Sequence, residues 1–164
     1  MKKWFFVGIM AVGLFSACNK DKDCKSVAPA TVASAAETAT LQTYLDAKGI
    51  TNAVNKNGMF YVINNQGTGI SPNLCSGISL TYSGSLIVGV NDGPVFDATP
   101  AGSVSNFTLS SLIAGWQLVF PLVKAGGDVT LYIPPSLGYG ARAQGSSIPA
   151  NSYLKFVVSL KDVK

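Results

Sequence analysis

Residues 112–141 constrain the fold of this chain more than any other stretch. Leu112, Ile113, Trp116, Val119, Phe120 and Val123 recur at steps of three and four, the period of a helix that lays one apolar face on a core. Gly126-Gly127 follows and supplies the positive φ that a helix exit or tight turn needs. From Asp128 to Ile133 polar and apolar residues alternate, which predicts a half-buried strand. Pro134-Pro135 ends that strand, and Gly138-Tyr139-Gly140 reads as a loop that holds out one tyrosine.

Strand signals flank this helix on both sides. Residues 59–63 are β-rich, and residues 64–69 form a turn-prone loop. Ile78, Leu80 and Tyr82 alternate with Ser79, Thr81 and Ser83. Asn91-Asp92-Gly93 reads as a turn before Val95-Phe96-Asp97, and residues 104–109 as a short strand. Residues 153–160 close the domain with Leu154, Phe156, Val158 and Leu160 on one side. Strands before and after a single helix, joined by hairpin-length links, predict an α+β fold, an antiparallel sheet wrapped around one short helix. Upstream, Ser34-Ala35-Ala36-Glu37 is a capping-box pattern, Leu41, Tyr44 and Leu45 share a face, and Gly49 is a terminator. A helix from about Ala35 to Lys48 is expected, packed on the domain; the alternative is that it helps to pair two chains.

The motifs at residues 112–141 resemble those of the FK506-binding-protein (FKBP) type of peptidyl-prolyl isomerase: a helix opening with Gly115-Trp116, then Gly126-Gly127, Ile133-Pro134 and Tyr139-Gly140. The resemblance runs from about Gly58 to Asp162, with several spaced motifs in the family's order. It implies a shallow apolar cleft between the helix and the concave face of the sheet. It also implies rotation of Xaa-Pro bonds in proline-containing segments, and a macrolide of the FK506 kind as a further ligand.

Composition narrows the chemistry independently. Histidine is absent from the 164 residues, which removes every His-dependent triad, general base and metal ligand. No metal or cofactor is expected. The net charge of +4 is too weak, and its basic residues too scattered, to argue for nucleic acid. Hydrophobic residues make up 48%, enough for a substantial core.

Residues 1–17 read as a signal peptide: Lys2-Lys3, an apolar run too short to span a bilayer comfortably, then Ser16-Ala17 before Cys18. Leu14-Phe15-Ser16-Ala17-Cys18 resembles a bacterial lipobox, with Phe15 in place of the usual aliphatic residue. Lipid modification of Cys18 would anchor the chain to a membrane of the cell envelope. The alternative is an ordinary secretory leader cut after Ala17. Residues 18–33 then form a flexible tether, 34–57 a helical extension and 58–164 the isomerase domain. Exported proteins keep disulfides, so Cys24 and Cys75 are expected to pair; two unpaired thiols are the alternative.

Residue by residue, the resemblance assigns Tyr82, Asp97 and Tyr139 to catalysis. It places Phe96, Phe107, Leu112, Ile113, Trp116, Ile148 and Phe156 against the substrate, with Trp116 as the cleft floor and Tyr139 as a hydroxyl donor. These apolar residues also suit a plain core. Ala114, Ala150 and Val157 depart from residues common in the family, and bear on loop stiffness and substrate preference. The expected function is folding assistance to exported proteins through Xaa-Pro isomerisation. The alternative is a non-catalytic module that holds Pro-containing segments.

Overall fold

The structure, a computed structural model, describes residues 24–164. The expected signal peptide, Cys18 and the first part of the expected tether lie outside the described residues. Seven strands form one sheet: β1 (Val54–Lys56), β2 (Met59–Asn65), β3 (Gly77–Val88), β4 (Asn91–Ala98), β5 (Ser105–Thr108), β6 (Asp128–Ile133) and β7 (Tyr153–Val163). Their order is β1-β2-β6-β7-β3-β4, every pairing is antiparallel, and β5 adds to β3. One edge of β3 is thus shared. β5 pairs with its first residues (Ile78 with Phe107) and β4 with its later ones (Gly84 with Asp97).

Period-two patterning explains which face is which. On β7, Leu154, Phe156, Val158 and Leu160 are buried on the concave face, while Val157 points outward and is exposed. Strand β6 differs from the half-buried strand its alternation suggests. Val129, Leu131 and Ile133 are buried on one face, but Thr130 and Tyr132 are buried on the other. For Tyr132 the cause is helix α1 (Ala35–Ala47), which covers the convex face, while the Thr130 hydroxyl accepts from the Asn64 side chain (2.9 Å). Leu41, Tyr44 and Leu45 pack there with Phe60, Val62, Ile87 and Tyr132. Each fully buried leucine of this kind stabilises by about 1.5–3 kcal/mol. The capping box forms: the Glu37 amide donates to the Ser34 hydroxyl (3.2 Å), and the Ser34 amide donates to the Glu37 carboxylate (2.9 Å). At the other end of the helix the Tyr44 hydroxyl donates to Asp92 at 2.7 Å, and Lys155 and Lys48 pair with the same carboxylate. The Lys155 hydrogen bond, and then the one from Tyr44, hold the Asp92 carboxyl well below the usual carboxylate range.

Three local boundaries differ from the sequence reading. The sheet begins at β1, ahead of Gly58, because Asn57-Gly58 makes a two-residue hairpin turn with positive φ at both positions. The β3–β4 reversal falls at Gly89-Val90, so Asn91, Asp92 and Gly93 belong to β4. The helix under the sheet is short: α2 covers only Ala114–Val119, between the 3₁₀ turns Leu109–Ser111 and Phe120–Leu122. Leu112 and Ile113 are extended, with ψ of 169° and 152°. The Gln117 side chain holds them so, donating to the carbonyls of Leu112 (2.7 Å) and Ser110 (3.2 Å). Pro121 has no N–H to continue the α pattern.

Two glycines let the layers meet closely. A Cβ on Gly115 would lie 2.8–3.0 Å from the Ile133 side chain, so only glycine lets α2 sit this near β6. A Cβ on Gly84 would lie 2.7–2.8 Å from the rings of Phe96 and Phe156, which close over β3 at that point. Cys24 and Cys75 are disulfide-bonded with Cα atoms 5.6 Å apart. The bridge ties the first described residues to the loop before β3. In that loop the Leu74 carbonyl accepts from Ser110, and the Ser76 carbonyl from Leu109.

Gly84→Ala is expected to force Phe96 and Phe156 apart and to destabilise the domain by about 1–3 kcal/mol, the usual cost of overpacking. Urea unfolding followed by Trp116 fluorescence checks this; an unchanged midpoint would show that the rings have slack.

Candidate active site

The hollow lies where α2 faces the concave side of the sheet. Trp116, third on α2 after Ala114 and Gly115, is 4% exposed, and its ring forms the floor. Phe120, one helical turn on, stacks behind it at 5.0 Å between centroids. Phe156 from β7 meets the indole edge-to-face at 5.1 Å and Tyr82 from β3 does so at 5.8 Å. Phe96 from β4 packs edge-to-face on Phe156 at 5.6 Å, and Phe107 from β5 lies 6.3 Å from the Tyr82 ring. Such offset and T-shaped contacts suit the ring quadrupoles and fix each ring's orientation. The extended pair Leu112 and Ile113 closes one side. The cavity is about 150 Å³, far above the roughly 10–15 Å³ that a single water needs.

Polar groups gather at one rim. The Tyr82 hydroxyl donates to the Asp97 carboxylate, itself exposed on β4. Burial, and then this hydrogen bond, raise the Tyr82 phenol far above its ordinary value. Tyr139, half-buried, also lines the cavity. Its phenol is raised by burial first and by the nearby Asp97 second. Both phenols therefore stay protonated, and remain donors, through the whole neutral range. The loop that carries Tyr139 is held by its backbone: the Gly140 amide donates to Pro135 (2.9 Å), and the Asn151 amide to Gly140 (2.8 Å). The Trp116 indole N–H is buried and has no hydrogen-bond partner.

Nine of the ten residues singled out for the site line this one cavity: Tyr82, Asp97 and Tyr139, with Phe96, Phe107, Leu112, Ile113, Trp116 and Phe156. Ile148 does not. It is 7% exposed and packs in the core, because paired backbone bonds with Gln144 (2.9 and 3.3 Å) turn its loop inward. Sequence reasoning did not identify Phe120 as the support behind the indole, although its four-residue spacing from Trp116 carries that signal. It also gave no role to Gly84, whose missing side chain admits two rings. Among the described residues no cluster of three or more His, Cys, Asp or Glu could hold a metal ion.

Comparisons with known proteins agree with this geometry. The family described as FKBP-type peptidyl-prolyl cis-trans isomerase matches residues 71–161. "Outer membrane protein MIP" of Legionella longbeachae is 37% identical over 108 residues, 65% of this chain and 45% of that protein. A "Probable FKBP-type peptidyl-prolyl cis-trans isomerase" of Haemophilus influenzae is 36% identical over 118 residues, 71% of this chain and 47% of that protein. The chain thus spans about half the length of these curated relatives. A crystal structure of a peptidyl-prolyl cis-trans isomerase from Pseudomonas syringae superposes with a TM-score of 0.66 at 26% identity, covering 82% of this chain and 98% of that one. An antiparallel sheet wrapped on a short Gly-Trp helix, an aromatic hollow over the indole and a family match across residues 71–161 converge on one assignment. This chain belongs to the FKBP-type peptidyl-prolyl cis-trans isomerase family.

Proposed function

We propose that the protein is a peptidyl-prolyl cis-trans isomerase that acts on proline-containing segments of exported proteins. The observation that carries this reading is the hollow itself: five aromatic rings and two aliphatic side chains around a floor of indole, with hydroxyl donors confined to one rim. Rotation about a peptide bond is opposed by resonance, with a barrier of about 18–20 kcal/mol. For Xaa-Pro both isomers are populated and exchange over tens to hundreds of seconds. The planar imide is more polar than the twisted one, because resonance places charge on its oxygen and nitrogen. An apolar hollow therefore disfavours the planar ground state more than the half-rotated transition state, which is differential binding.

In this scheme the proline ring rests on Trp116 between Phe107, Ile113 and Phe156. The Tyr139 hydroxyl and the Ile113 amide donate to substrate carbonyls. Asp97 orients the Tyr82 hydroxyl. No covalent bond forms and no proton is transferred, so the chemistry asks for no nucleophile. A macrolide of the FK506 kind suits the same apolar floor.

The leader, and a relative that carries the name of an outer membrane protein, support an envelope location. Residues 1–17 serve as signal peptide, a lipid on Cys18 anchors residues 18–33 as tether, and the Cys24–Cys75 bridge shortens that tether.

A protease-coupled assay on a short Xaa-Pro peptide tests the activity. Wild type is expected to exceed the uncatalysed rate by far. Tyr139→Phe is expected to lower kcat/KM about tenfold, the equivalent of one hydrogen bond of about 1.4 kcal/mol, with the fold intact. A rate equal to the uncatalysed one would overturn the enzyme reading; if an unfolded client were still kept from aggregating, a holding function would replace it. For the anchor, Cys18→Ser is expected to release the protein from the membrane fraction. Retention there would show that something other than acylation holds it.

A further inference from the structure

Helix α1 lies on the convex side of the sheet, opposite the hollow, yet it reaches the loop that carries Tyr139. The link is Glu37. Its carboxylate closes the capping box with Ser34, accepting from the Ser34 amide (2.9 Å) and hydroxyl (3.0 Å). The same carboxylate accepts from the Ser136 amide (2.9 Å) and the Ser136 hydroxyl (3.0 Å), 99 residues along the chain. Ser136 sits in the 3₁₀ turn Pro135–Leu137, directly before Gly138-Tyr139-Gly140. The turn is further fixed by fully buried Leu137 and by the Gly140 amide, which donates to the Pro135 carbonyl. Burial, which alone would raise the Glu37 carboxyl, is outweighed by the hydrogen bonds from Ser34 and Ser136, and the group is held below its ordinary value.

We propose that Glu37 is a positioning residue for catalysis: through Ser136 it clamps the turn that sets the Tyr139 hydroxyl over the hollow, so that the N-terminal helix tunes turnover from the far side of the sheet. The proposal rests on the isomerase reading for its kinetic consequence. Four hydrogen bonds converge on one carboxylate, and bonds to an ionised acceptor are stronger than neutral ones. The Tyr139 ring is only partly buried, so a fixed point directly before it restricts where the hydroxyl travels. Small misplacements of a donor are costly in rate, because catalysis depends on held geometry.

The test is a double-mutant cycle on the full chain, read as kcat and KM separately in the Xaa-Pro assay. Glu37→Ala is expected to lower kcat about fivefold, within the range a slightly misplaced donor gives, with KM little changed. In a Tyr139→Phe background, Glu37→Ala is expected to cost nothing further, since the hydroxyl it positions is gone. Ser34→Ala breaks the capping box but leaves the bonds to Ser136. It is expected to lower thermal stability without lowering kcat. Glu37→Gln, which keeps an acceptor oxygen, is expected to recover part of the rate. An equal loss of kcat from Glu37→Ala with and without the Tyr139 hydroxyl would overturn the proposal, as would a kcat loss in Ser34→Ala matching that of Glu37→Ala. Amide hydrogen exchange at Gly138 and Gly140 separates this from the isomerase reading. Should wild type show no isomerase rate, faster exchange there in Glu37→Ala but not in Ser34→Ala would still establish the clamp, and unchanged exchange would overturn it.

Discussion

The edge-to-face packing of Phe156 and Tyr82 on the Trp116 indole is the contact on which the rest of this domain depends. It joins α2 to the two long central strands, β7 and β3, and leaves the indole face open toward the rim. For those rings to meet, α2 must approach β6 to within the reach of a bare backbone, which Gly115 permits against Ile133. Phe156, together with Phe96, must also cross β3 where Gly84 has no side chain. The hollow is therefore a consequence of packing that is tight everywhere around it. Its walls are side chains held by their neighbours, with Phe120 stacked behind the floor.

The convex face answers the concave one. Without α1, the outward side chains of β6 and β2, Tyr132, Phe60 and Val62, would present an apolar surface to water. Tyr44, Leu41 and Leu45 remove it, and Tyr44 extends to Asp92 at the start of β4, the strand that also bears Phe96 and Asp97. Glu37 does the same at the other end of the helix, toward the loop that bears Tyr139. The helix thus borders the two segments that supply the polar rim, although none of its residues enters the hollow.

Much of this was legible in the chain. The capping box at Ser34 and Glu37 marks the start of α1, and strict alternation from Tyr153 to Leu160 marks the buried face of β7. Spaced Gly-Trp, Gly-Gly, Ile-Pro and Tyr-Gly pairs led to ten residues before any geometry was known, and nine of them line the cavity. What escaped was decided by tertiary contacts. The three- and four-residue period from Leu112 to Val123 predicts a longer helix. Yet the same apolar residues satisfy the core from an extended pair, a short helix and a 3₁₀ turn, with Gln117 and Pro121 fixing the boundaries. Ile148 is apolar and follows the expected motif, but a backbone bridge to Gln144, silent in the sequence, turns it into the core. Thr130 and Tyr132 looked like a solvent face because nothing in β6 itself records the helix that covers Tyr132 or the Asn64 side chain that donates to the Thr130 hydroxyl.

The central claim is that this hollow holds a twisted imide better than a flat one. Calorimetry with two prolyl compounds of matched size tests it most directly, one with its acyl carbonyl locked out of the imide plane and one with it locked in. The account predicts that the out-of-plane compound binds at least about 100-fold more tightly, the lower range for transition-state mimics. Equal affinity for the two would contradict it, since a site that does not distinguish the geometries cannot lower the barrier between them.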